Sequence, residues 1–203
     1  SFDGDDDDQT TKLLIPSINL SRVSVKDRLF VTKGNRLELN LQGAYEGLLS
    51  DMSFVQAALR TKWIWPLSVK GRLITRADVG STWTSDFDRL PATLRFYAGG
   101  DNSVRGYSLD SIGPRDDDGV VIGGRNLLVG SLEYDYYFLE KWGVAAFVDT
   151  GDAFDTEVPD LKTGVGFGLR WLSPVGPVRV DLASGLDEPG DSVRFILSIG
   201  PDL

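Results

Sequence analysis

The sequence predicts an all-β fold, namely an antiparallel transmembrane β-barrel of about ten strands. Apolar and polar residues alternate along the chain, aromatic residues gather at strand ends on the apolar side, and the connections alternate between short and long. Alternation by itself also fits a soluble sandwich with its apolar faces turned inward. The longer segments favour the membrane, since a tilted strand needs about nine residues to cross a bilayer.

Five strands are predicted before a long loop. They cover residues 14–20, 37–42, 55–65, 69–79 and 94–98. In the third of them, Val55, Leu59 and Trp63 share one side while Arg60 and Lys62 share the other. Such a two-residue period gives each strand one apolar and one polar face.

Five more strands are predicted after the loop, at residues 128–138, 144–149, 164–171, 178–182 and 192–199. The alternation turns Glu133 and Asp149 away from the apolar side. Inward glycines occupy one of these strands, at Gly164, Gly166 and Gly168, and we expect them to leave room for the loop against the wall. The apolar side of the last strand consists of Val193, Phe195, Leu197 and Ile199.

The aromatic residues predict where the barrel meets the membrane surface. They are Trp63, Trp65, Tyr136, Phe138 and Trp171, all near strand ends on the apolar side. Tryptophan and tyrosine prefer the boundary between lipid and water. We therefore expect these residues to form an interfacial girdle.

Composition narrows the possible functions. The chain has no cysteine and no histidine, which argues against thiol or imidazole catalysis and the usual zinc sites. Its 21 basic against 30 acidic residues disfavour nucleic acid as a partner. No apolar run is long enough for a membrane-spanning helix. We expect no enzyme, no cofactor and no metal, and a solvated loop or cut end at residues 1–9.

The loop between the two sets of strands, residues 99–126, contains the segment Val104, Arg105, Gly106 and Tyr107. Loops of this length are usually functional or disordered. A guanidinium held away from water needs carboxylate partners, and Glu133 and Asp149 point to the same interior. A solvated arginine in an ordinary glycine-containing loop is the simpler interpretation of the same residues.

These residues lie within a longer series of motifs. The motifs are Phe96–Tyr107, Gly113–Gly119, Gly130–Tyr134, Phe147–Asp149, Gly164–Trp171 and Ser173–Pro177. The series resembles the C-terminal barrels of TamA proteins, in the superfamily of outer-membrane insertases and translocators that includes BamA and FhaC. It is strong over residues 93–203 and weak before them. In that family the loop folds into the lumen, which implies that Arg105 pairs with Glu133 and Asp149.

The resemblance implies a barrel of the bacterial outer membrane that assists insertion or secretion of proteins such as autotransporters, with lipid, client proteins and TamB as partners. Clients would pair with a weak seam formed by the last strand. The alternatives are a two-partner secretion-type pore, the membrane anchor of a fused enzyme, or an engineered fragment without insertase activity.

The chain differs from that family in its strand count and in carrying no recognisable docking domain. Family barrels have sixteen strands. We therefore expect residues 1–203 to form either the C-terminal part of such a barrel or a smaller barrel that closes on itself.

Overall fold

The structure, a computed structural model, describes residues 11–25, 31–47, 49–156, 158–174, 176–187 and 193–203. Residues 1–9, predicted as a solvated loop or cut end, lie outside the described residues. Among the described residues, no helix has the length and apolar character needed to span a bilayer.

One antiparallel sheet of nine strands makes up the described fold, and each strand pairs with its neighbour in sequence. The strands are β1 (Ser17–Val25), β2 (Gly34–Ala44), β3 (Phe54–Pro66), β4 (Gly71–Trp83), β5 (Asn126–Tyr137), β6 (Trp142–Phe154), β7 (Lys162–Ser173), β8 (Gly176–Gly185) and β9 (Arg194–Ile199). The predicted all-β antiparallel class is confirmed.

The predicted strand at 94–98 is wrong. Residues Ala92–Leu94 form a short 3-10 helix, and Phe96 and Ala98 make only isolated bridges, to Gly124 and Ile112. The ring of Phe96 turns onto Gly80 of β4 instead of joining a ladder. As a result β4 pairs directly with β5, and the connection between them runs from residue 84 to residue 125.

The sheet has two open edges within the described part of the chain. β1 pairs only with β2, and β9 pairs only with β8. The expectation of a smaller barrel that closes on itself is therefore wrong. The other expectation, an incomplete portion of a larger barrel, agrees with the open sheet.

The two faces of the sheet differ as the alternation predicts. Large apolar side chains are exposed on the outer face, among them Leu59, Leu132, Val148, Leu169 and Leu197. The inner face carries most of the buried charges. An exposed apolar face around a charged interior is the arrangement of a membrane barrel.

The aromatic residues gather at the end of the sheet that has the short turns. Trp65, Tyr136, Phe138 and Trp171 are exposed there. Trp171 stacks on Trp142 of the neighbouring strand, with ring centroids 5.7 Å apart. Their position at one end of the outer face agrees with the predicted girdle.

Candidate functional site

The loop between β4 and β5 enters the interior and presents Arg105 to the inner wall. The Nε and Nη2 atoms of Arg105 donate to the two carboxylate oxygens of Asp149, at 2.7 and 3.0 Å. Its Nη1 atom donates to Glu133 Oε2 at 2.6 Å. Asp149 lies on β6 and Glu133 on β5. Because side chains alternate along a strand, both of these point to the inner face, toward the loop. The bidentate geometry is one that lysine does not reproduce.

Further contacts complete the surroundings of Arg105, which is only 8% exposed. The backbone N–H of Arg105 donates to Asp149 Oδ2 at 3.1 Å, and the guanidinium carbon lies 3.4 Å from the centroid of the Phe147 ring. Burial opposes the charged form, but hydrogen bonds to Asp149 and the charge of Glu133 outweigh it and raise the pKa of Arg105. Arg105 therefore stays cationic.

The residues beside Arg105 attach the loop to other strands. Val104 is fully buried in an apolar cluster with Leu127, Val129 and Ala153 of the inner wall. The hydroxyl of Tyr107 lies 3.3 Å from the carbonyl of Thr163 on β7. The loop is thus held by apolar packing as well as by charge.

Gly106 has two physical reasons to be glycine. Its φ is +99°, a conformation that side chains rarely adopt. A Cβ atom there would come within 2.6 Å of the backbone of Ser184 and Gly185 on β8. The loop backbone therefore lies directly on the wall at this residue.

The three inward glycines of β7 do not share one role, which corrects the prediction that all of them make room for the loop. A Cβ atom at Gly164 would collide with the Arg105 carbonyl, as predicted. At Gly166 it would meet the ring of Phe147, and at Gly168 the carboxylate of Asp181. The latter two glycines therefore leave space for wall side chains that contact Arg105 and Arg170.

A charged network extends beyond the residues that the sequence singled out. Arg170 of β7, 1% exposed, contacts three carboxylates: Glu133 at 2.7 Å, Asp181 at 2.5 Å and Asp135 at 3.2 Å. Asp135 in turn accepts from Arg72 Nη2 at 2.8 Å. The alternation already turned these side chains inward, but nothing local to the sequence indicated that they would meet.

The residues after β9 turn into the interior. Asp202 accepts from Arg72 of β4 at 2.7 Å and from Arg179 of β8 at 2.8 Å. Leu203 packs beside the buried cluster of Val31, Ile64 and Ile74. This tail joins two strands that are not neighbours in the sheet.

The strand β9 is shorter than the predicted seam strand. It begins at Arg194, so Val193 precedes it, and Ser192 lies outside the described residues. Phe195, Leu197 and Ile199 point outward and are exposed. The apolar side of the predicted seam therefore faces the surroundings of the barrel.

Proteins that resemble this chain are named as outer membrane protein assembly factors. The outer membrane protein assembly factor BamA of Nitratidesulfovibrio vulgaris is 38% identical over 123 residues, covering 55% of this chain and 16% of that protein. BamA of Neisseria meningitidis serogroup B is 25% identical over 224 residues, covering 91% of this chain and 28% of that protein. BamA of Neorickettsia risticii is 34% identical over 173 residues, covering 75% of this chain and 22% of that protein.

A solved structure shows the same fold. It is the crystal structure of BamA from Haemophilus ducreyi lacking POTRA domains 1-3, with a TM-score of 0.71 and 24% identity, covering 90% of this chain and 42% of that one. The similar proteins are named as outer membrane protein assembly factors, and the chain is a protein of the bacterial outer membrane. The Omp85 superfamily domain matches residues 2–202, and the chain therefore belongs to the Omp85 superfamily.

Proposed function

We propose that residues 1–203 are the C-terminal part of an outer-membrane barrel that assists the insertion of other outer-membrane proteins. The observation that carries the proposal is the open edge of β9 within an Omp85-type sheet. The curated relatives, of which this chain spans less than a third, are named as outer membrane protein assembly factors. That shared name supports an assembly role for the protein to which this sequence belongs.

The proposed mechanism uses β9 as a template. An open strand edge presents backbone N–H and C=O groups that another strand can pair with. In hydrocarbon, unpaired groups of this kind are costly, so pairing with a client strand is favourable. β9 has six residues in its ladder, whereas the other strands have nine to thirteen. Its short ladder to β8 leaves a weaker edge.

We assign a bracing role to the segment Val104–Tyr107 with Glu133 and Asp149. The contacts of Arg105 with β5 and β6 and of Gly106 with β8 connect the loop to a large part of the wall. A wall stiffened in this way would confine movement to the β9 edge. Loop 99–126 would thereby act as a plug and a brace within the lumen.

Site-specific crosslinking tests the template mechanism. The chain has no cysteine, so an introduced thiol is unique within it. We expect Leu197→Cys on β9 to crosslink to a single-cysteine client strand while that client is being inserted. Leu169→Cys, an exposed outward residue of β7, is the matched control. Equal crosslinking at both residues would contradict client pairing at β9.

A finer assignment is a TamA-type barrel that works with TamB on autotransporters. It rests on the resemblance of Pro114–Asp116 and of Gly200–Leu203 to TamA sequences, and the ion pairs of Asp202 provide a structural role for the second segment. Complementation distinguishes the two assignments. We expect the intact protein to restore autotransporter secretion in cells lacking TamA and to leave BamA-depleted cells unrescued. Rescue of only the BamA-depleted cells would reject the TamA-type assignment.

A further inference from the structure

A small cavity inside the lumen is lined by four basic side chains, and two of them have no carboxylate partner among the described residues. It lies between β3, β4, β5, β8, β9 and the loop, and its volume is about 110 Å³. Since a water molecule occupies about 30 Å³ of liquid, a small anion with some water fits this volume. Its basic lining residues are Lys62, Arg76, Arg105 and Arg179.

Two of these cations differ from Arg105 in lacking a carboxylate partner. Lys62 and Arg76 face each other directly across β3 and β4. In the described part of the chain, no carboxylate oxygen lies within ion-pair distance of either side chain. Like charges directly opposite one another destabilise a sheet. Arg36 is the partner of Lys62 on the other side, so Lys62 has a cation on both flanks.

The strongest observation is at Arg76. Its Nη2 atom donates to the backbone carbonyl of Ser103, but its Nε atom is buried and has no hydrogen-bond partner among the described residues. A buried donor without an acceptor is costly, and buried polar groups nearly always have a partner. An oxyanion at this position would both accept from this N–H and lower the repulsion with Lys62.

None of the acidic residues around the cavity accepts from Arg76 Nε. Glu133 and Asp181 are held by Arg170, and Asp202 joins Arg72 to Arg179. Asp101 of the loop also lines the cavity but is exposed. Arg105 and Arg179 thus have carboxylate partners, whereas Lys62 and Arg76 have none within ion-pair distance among the described residues.

We propose that Lys62, Arg76 and Arg179 form a binding site for one small oxyanion, a phosphate or a carboxylate group, in the lumen. Such an anion would accept from Arg76 Nε and screen the two facing cations. Because Arg76 also holds the carbonyl of Ser103, two residues before Arg105, occupation of the site would steady the loop. The site goes beyond client pairing at β9 and does not depend on it.

Thermal unfolding of the intact protein in detergent micelles tests the site. With ionic strength held constant by chloride, we expect about 10 mM inorganic phosphate or acetate to raise the Tm by about 3 °C. A response to phosphate alone identifies a phosphate-type ligand, and an equal response to acetate identifies a carboxylate. The absence of a response to either anion overturns the proposal.

Variants separate the site from general charge screening. Lys62→Gln removes one of the facing cations and is expected to abolish the anion response. Arg60→Gln removes a cation from the same strand and face but outside the cavity lining, and is expected to keep it. An equal loss in both variants overturns the proposal.

A third variant supplies the anion from the chain itself. Lys62→Glu places a carboxylate opposite Arg76, so we expect a Tm in chloride at least equal to that of the unaltered protein and no further rise with phosphate or acetate. This variant also guards against a loss of folding in Lys62→Gln. A lower Tm together with a retained anion response overturns the proposal.

Discussion

Arg105 joins the loop to the wall through ion pairs, and the geometry around it explains why another cation would not suffice. Its guanidinium uses separate N–H groups for Asp149 and for Glu133 while its face rests on Phe147. Lysine has one nitrogen and no planar face. The contact with Phe147 in turn requires Gly166, because a side chain there would displace the ring.

Replacing Arg105 tests the brace. We expect Arg105→Ala to leave the β-type circular dichroism unchanged and to make the loop sensitive to protease. Buried Asp149 loses its ion-pair partner and Glu133 keeps only Arg170, at a cost of about 3–5 kcal/mol. Limited proteolysis in detergent measures this. Arg115→Ala, an exposed arginine of the same loop, is the control. If the loop of Arg105→Ala is as resistant to protease as that of the unaltered protein, Arg105 does not brace the loop.

Gly106 offers a second test, because its two constraints can be separated. Gly106→Ala combines an unfavourable positive φ with a collision against β8, so we expect a loss of about 2–3 kcal/mol in stability and greater loop exposure. Gly119→Ala also carries a positive φ, but no atom lies within 4 Å of its Cβ position. It should cost only about 1–2 kcal/mol. Denaturant unfolding of both variants gives the comparison, and equal losses would show that the collision contributes nothing.

At the scale of a single element, the last strand β9 is held both by its ladder to β8 and by the tail that follows it. β9 has one ladder partner, but the tail that follows it contacts the far wall through Asp202 and Leu203. The tail therefore holds the end of β9 through contacts in the interior, while the edge of its short ladder stays open. The position of β9 depends on charge pairs in the lumen as well as on backbone hydrogen bonds to β8.

Asp202→Asn tests this dependence. The substitution keeps the shape of the side chain and removes the charge that Arg72 and Arg179 share. We expect faster hydrogen exchange in β9, with protection reduced by about 2 kcal/mol, and little change in β5. Asp160→Asn, which removes an exposed ion pair with Lys162, is the control. Protection of β9 equal to that of the unaltered protein would mean that the tail does not hold the strand.

The sheet as a whole has an apolar outer face and a charged inner face. This difference predicts how much a new charge on each face destabilises the barrel. Leu59 lies outward near the middle of β3, while Asn40 of β2 lies on the inner face. We expect Leu59→Arg to destabilise the barrel folded in lipid vesicles by about 2–4 kcal/mol. Asn40→Arg should have a much smaller effect. Similar losses for the two variants would contradict the assignment of the two faces.

Several properties of this protein follow from local pattern. Alternation assigned the outer and inner faces, and it turned Glu133 and Asp149 toward the side on which the structure places Arg105. A two-residue period is a property of the strand itself, so it can be read without knowing the neighbours of that strand. The same pattern failed at 94–98, because a short run of alternating residues forms a ladder only when a partner strand lies beside it.

Other features of the interior depend on the tertiary structure, because they arise only when the curvature of the sheet brings distant strands together. The central position of Arg170, the different partners of Gly164, Gly166 and Gly168, and the inward course of Asp202 depend on contacts between segments distant in sequence. The loop and the tail carry no period that would indicate their path. Alternation determines which side a residue faces, but distance across a lumen depends on the curvature of the sheet, and that curvature exists only in the folded chain.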